Sequence, residues 1–155
     1  MKLLVLVLLL TGCAIKYPTA PATHTHTVSL DMIGKSEACK TAWNNSIRYL
    51  AGVGIQVRQG QLDSQTIACL GRLPLLYKFL NPFYVGGAAD PENGSAFVYT
   101  DGSKKDTQVM LHEIGHLLGA SHTLTGTMVF DYHAMSLSTG YSEFTLREIR
   151  ENSSS

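Results

Sequence analysis

Thr107-Gln108-Val109-Met110-Leu111-His112-Glu113-Ile114-Gly115-His116-Leu117-Leu118-Gly119-Ala120 is the most informative stretch of this 155-residue chain, together with His122 just beyond it. Val109, Leu111, Ile114, Leu117 and Leu118 recur at helical spacing, so the segment reads as a partly buried helix. His112 and His116 are four residues apart, which is about 400° of rotation and places the two imidazoles on one side, a turn apart. Glu113 lies about 100° round from His112, near enough to act beside a metal without ligating it.

A catalytic zinc uses three protein ligands and keeps one position open, and His122 can supply the third. Continued as helix, position 122 would sit about 600° beyond His116 and roughly 120° away from the metal side. The chain must therefore leave the helix, and Gly119 offers the exit because glycine reaches positive φ cheaply. The five-residue His-Glu-x-x-His match arises by chance in roughly one chain in a hundred, and adding Gly119 and His122 lowers that to roughly one in tens of thousands. Histidines merely satisfied in a core do not account for the glutamate and glycine as well.

On these residues, His112-Glu113-x-x-His116-x-x-Gly119-x-x-His122, the chain resembles the metzincin superfamily of zinc endopeptidases. The resemblance spans residues 28–152 and implies an α+β fold: a small twisted mixed sheet, a long packing helix, an active-site helix and a C-terminal helix. It implies one zinc held by His112, His116 and His122, with Glu113 as general base, and hydrolysis of extended protein or peptide substrates. It also implies a methionine turn beneath the metal, for which Met128 is the first candidate and Met135 the alternative. Family members bind substrate against the strand above the cleft, which here would be Ser95 to Thr100, although an ordinary core strand with a covered edge would look the same. Thr145 and Glu148 form a capping box for the last helix, with Leu146 and Ile149 facing inward, as in the matrixin-like branch. The pattern departs from other branches at Phe130, where a metal-side tyrosine would stand, and leaves Tyr132, His133 and Tyr141 without a role. Latency through a cysteine switch has no support, since the one cysteine upstream of the domain, Cys13, is the lipobox cysteine described next.

Outward from the motif, the first residues form a leader. Met1-Lys2 is followed by an unbroken Leu/Val run from Leu3 to Leu10, a signal-peptide pattern too short to span a bilayer. Leu10-Thr11-Gly12-Cys13 resembles a lipobox, which implies removal of residues 1–12, acylation of Cys13 and export to the cell envelope. With Ala14 rather than Asp after the cysteine, a Gram-negative lipoprotein would pass to the outer membrane. Residues 13–27, rich in Pro, Thr and Ala, read as a tether, and His24 and His26 are given no role. The membrane is thus an expected partner through lipid. Residues 153–155 read as a frayed tail.

Composition fits one globular domain, with 45% apolar and 15% charged residues. Without Lys2 the chain has eleven basic against twelve acidic side chains, and no basic stripe points to nucleic acid. Cys39 and Cys69 are the two thiols of an exported domain, and a disulfide between them is expected. Val28–Met32, Gly54–Arg58, Ser64–Leu70 and Ser95–Thr100 read as strands. Ser36–Ala51 reads as an amphipathic helix capped by Ser36, with Ala38, Ala42, Trp43, Ile47 and Leu50 inward and Gly52 and Gly54 at its end. Residues 71–95 read as loop; Asp90, Glu92 and Asn93 could offer calcium oxygen ligands, but their spacing fits solvated turn residues better. Two other functions compete with proteolysis: a zinc-stabilised envelope binding protein without catalysis, and hydrolysis of a non-protein amide such as a cell-wall peptide.

Overall fold

The computed structural model describes residues 26–72, 86–123, 126–128 and 140–152. The leader, Cys13, His24, Phe130, Tyr132, His133, Met135 and residues 153–155 lie outside them. The elements are β1 (His26–Ile33), α1 (Glu37–Gly52), β2 (Ile55–Arg58), β3 (Gln65–Leu70), β4 (Gly87–Asp90), β5 (Ser95–Tyr99), α2 (Asp106–Leu117) and α3 (Glu143–Asn152). Among the described residues no helix is long and apolar enough to cross a membrane.

The strands form one sheet in the order β2-β1-β3-β5-β4, parallel except for the antiparallel pair β4–β5. Alternation along each strand sorts its side chains. Val28 and Leu30 of β1, Ile67 and Cys69 of β3, and Ala96 and Val98 of β5 are buried in the single core. Against them α1 lays Cys39, Ala42, Trp43, Ser46, Tyr49 and Leu50, a stripe at three- and four-residue spacing. Ser36 Oγ accepts from the Cys39 amide at 3.1 Å and starts the helix. Gly52 stays helical, and the turn to positive φ falls on Gly54. A disulfide joins Cys39 in the first turn of α1 to Cys69 in β3, fastening the helix to the sheet inside the core.

Four sequence expectations change. First, β1 begins at His26, whose amide donates to Gly54 O, so His26 and Thr27 belong to the sheet rather than to a tether. Second, residues 87–90 are a strand where a loop was expected. Gly-Ala-Ala-Asp carries no β-branched or aromatic residue to announce it, and pairing with β5 makes it one. Asp90 then accepts from both the amide and the side chain of Asn93 in the turn that follows, so its carboxylate is used locally. Third, Ser95–Tyr99 cannot present a substrate edge, because β3 lies on one side of it and β4 on the other. Fourth, the cap of α3 is Ser142, whose hydroxyl accepts from the Thr145 amide at 3.2 Å. Thr145 is buried and Glu148 reaches Ser121 instead, while Leu146 and Ile149 do face inward.

The Cys39–Cys69 bridge closes a loop with a sequence separation of 30. On the chain-entropy model such a loop is worth about 3 to 4 kcal/mol. The Cys39→Ser/Cys69→Ser variant should therefore be less stable by that free energy in a urea titration, with a steeper slope because the unbridged denatured chain exposes more surface.

Candidate metal centre

α2 is anchored before it reaches the site. Asp106 at its start accepts from the amides of Asp101 and Gly102 and from Ser103 Oγ, tying the preceding turn to the helix. Burial raises the pKa of Asp106, and these hydrogen bonds oppose that rise. Val109, Met110, Leu111, Ile114 and Leu117 are all buried, so the helix runs through the core rather than over it.

His112 and His116 each spend Nδ1 on a backbone carbonyl: His112 on Thr127 O at 2.8 Å, His116 on Ala120 O at 2.9 Å. A carbonyl only accepts, so Nδ1 carries the proton in both rings and Nε2 carries a lone pair. α2 ends at Leu117, and Gly119 at φ 84 turns the chain out of the helix. The Ala120 amide reaches back to Gly115 O, and the chain then delivers His122. Nε2 of His116 lies 3.1 Å from Nε2 of His112 and 3.1 Å from Nε2 of His122. The three ligand atoms all lie within 4.8 Å of one another.

Between His112 and His116 neither Nε2 has a proton to donate, so their approach is repulsive unless a cation lies between them. Two nitrogens bound to a tetrahedral zinc at ordinary lengths stand about 3.3 Å apart, close to the observed separation. Among the described residues the donor set therefore fits zinc: three imidazoles and no thiolate. Burial lowers the pKa of His112 to about 4, helped by the neighbouring histidines, and lowers that of His116 as well, keeping both rings neutral as ligands.

Glu113 is 4% exposed, and burial pushes its carboxyl up to about 8. β4 packs directly on it. A side-chain carbon at Gly87 would fall 2.5 Å from Phe97 O and 2.8 Å from Glu113 Cγ, so only glycine allows the strand to lie this close. Below the histidines, Met128 is fully buried, and its thioether fills the space where a side chain on Gly115 would project. Thr127, next to it, supplies the carbonyl that orients His112.

The structure thus brings together His112, His116 and His122, buries Glu113 on the same helix under β4, sets Met128 against Gly115, and joins Cys39 to Cys69 elsewhere in the core. Sequence reasoning missed several supports. The Tyr141 hydroxyl donates to Leu111 O, its amide donates to Tyr49 Oη at 2.7 Å, and the two rings meet edge to face. Tyr49 could have been found, since it falls on the buried stripe of α1. Gly87 and the Thr127 carbonyl carry no signal in sequence.

Residues 81–123 match the model of the Reprolysin-like metallopeptidases of family M12B, a stretch holding β4, β5, α2 and all three histidines. Archaemetzincin from Methanopyrus kandleri is similar in structure, with a TM-score of 0.60 and 12% identity over 87% of this chain and 99% of that one. No curated protein matches the chain. The chain has a metzincin-like fold, with a three-histidine site, two on α2 and the third beyond it, inside the segment where the family match falls.

Elemental analysis after reconstitution at neutral pH should find one zinc per chain, removable by a chelator. His116→Ala, which deletes the nitrogen in contact with both other rings, should hold less than a tenth of that content.

Proposed function

We propose that this protein is a zinc-dependent endopeptidase. The observation that carries the reading is the convergence of three imidazoles, the first of them followed directly on α2 by a buried glutamate. The Reprolysin-like match over that segment and the metzincin-like fold support it. His112, His116 and His122 would hold the zinc, and Met128 would be the methionine of the turn beneath it. When bound, zinc supplies a Lewis acid that activates water and polarises a carbonyl.

Glu113 moves the proton. Its carboxylate takes a proton from the attacking water and returns it to the nitrogen of the leaving amine. Burial raises the proton affinity of this carboxyl, and a dication held by the histidines would oppose that rise and favour the carboxylate that acts as base. His112 and His116, fixed through Thr127 O and Ala120 O, need no reorientation during the reaction.

The substrate strand belongs on β4 rather than on β5. Gly86 O accepts from the Tyr99 amide, so the alternation of an antiparallel ladder turns the backbone groups of Gly87 and Ala89 away from β5. An extended peptide added at that edge would lie along Gly87, directly above Glu113. The leader places the enzyme at the cell envelope, anchored by lipid on Cys13, with proteins or peptides as substrates. Kinship with the matrixin-like branch belongs to the same proposal.

Two measurements test this. Glu113→Gln should keep zinc and fold but lose about 10²- to 10⁴-fold in peptide hydrolysis, as expected for removal of a general base. Full activity in that variant would instead favour a binding role for the zinc. Mass spectrometry of protein from its native membrane fraction should show Cys13 as an acylated N-terminus, and an intact Met1 would reject the anchor.

A further inference from the structure

The third ligand differs from the first two in how it is held. His112 and His116 sit on a buried helix, whereas His122 lies outside α2 and is held from both sides: Thr123 after it donates its amide to Met128 O at 2.9 Å, and residues 119–121 fix the approach to it. Each of those three residues is held by a different side chain. Ala120 O accepts from His116 Nδ1. The other two are held from the far end of the chain: Asn152 Nδ2 donates to Gly119 O at 3.0 Å, and Glu148 takes both donors of Ser121, the amide at 3.1 Å and the hydroxyl at 3.0 Å.

Glu148 and Asn152 are four residues apart on α3, one turn, so they form a two-point clamp on one helix face. The clamp is rigid because α3 is itself docked: Ile149 is fully buried between the two residues, and Arg150 donates to Val53 O beyond α1. The Glu148 carboxylate accepts both Ser121 donors, one on each oxygen, which fixes the residue immediately before His122 in both position and rotation.

From this geometry we infer that Glu148 and Asn152 are positioning residues for the metal centre: the C-terminal helix holds the third ligand in place through Ser121 and Gly119. The inference rests on the proposed zinc site. Neither side chain ligates the metal or touches substrate. Their contribution is to order the His122 segment before zinc arrives, so that binding does not have to order it, and losses of about 10- to 100-fold in metal affinity are usual when such orienting contacts are removed.

Zinc affinity of the full chain, measured by competition with a chromophoric chelator at neutral pH, tests it without reference to turnover. Glu148→Ala should bind zinc about 10- to 100-fold more weakly than the parent. Glu148→Gln should recover most of the loss, because an amide can accept from the Ser121 amide and donate to its hydroxyl. In a double-mutant cycle, Ser121→Ala should cost little further once Glu148 is alanine. Arg150→Ala is the control for general loosening of α3, since its bond to Val53 lies away from the ligand turn, and it should change zinc affinity far less than Glu148→Ala. Parental affinity in Glu148→Ala, or equal losses in Glu148→Ala and Arg150→Ala, would overturn the positioning role while leaving the metal centre intact. A parent chain that bound no zinc would overturn both.

Discussion

Two hydrogen bonds, from Nδ1 of His112 to Thr127 O and from Nδ1 of His116 to Ala120 O, set the character of this molecule. Each fixes a tautomer and a ring plane, and together they aim two lone pairs at one point. The carbonyls that accept them come from segments after α2, so the chain beyond the helix must return in order to complete the ligands on it. The return of Thr127 beneath the helix, the turn at Gly119 and the packing of Met128 against Gly115 follow from that requirement. Tyr141 adds a third tie, from the start of α3 to Leu111 O one residue before His112.

The sheet meets the same constraint from the other side. β4 must lie close enough to α2 to cover Glu113, and the glycine at position 87 makes that distance attainable. Burial under this strand gives Glu113 a proton affinity far from that of a surface carboxylate. The edge of the sheet and the chemistry of the glutamate are thus one arrangement: moving β4 outward would open the cleft and rehydrate the carboxylate together.

The helix that carries His112 and His116 was legible because the spacing of candidate ligands and helical geometry are the same information, and Gly119 had to break the helix for His122 to count. β1, β3 and β5 were legible from alternation with a buried face, and α1 from its stripe and from Ser36. β4 was not, because a strand built of Gly, Ala and Asp owes its existence to its partner. The edge of the sheet was misplaced for the same reason: without β4, the strand Ser95–Tyr99 looks like an edge. At α3 the sequence reading paired Thr145 with Glu148, whereas Ser142 caps the helix and Glu148 is engaged by Ser121, a residue distant in sequence. Tertiary partners of this kind leave no local trace.

The antiparallel pairing of β4 with β5 also bears on how the chain folds. In every other strand pair the partners are far apart in sequence, as when Leu30 meets Gln65 or Thr66 meets Ser95, whereas β4 and β5 are separated only by the turn at 91–94. Closing a short loop sacrifices the least chain entropy, so the hairpin and the helix after it form the part of the molecule with the lowest contact order. That part already carries the glycine, the glutamate and two of the three histidines. Two of the three candidate ligands can therefore assemble from contiguous chain, ahead of the slow parallel pairings, and a metal ion captured there would bias the remaining search toward the native topology.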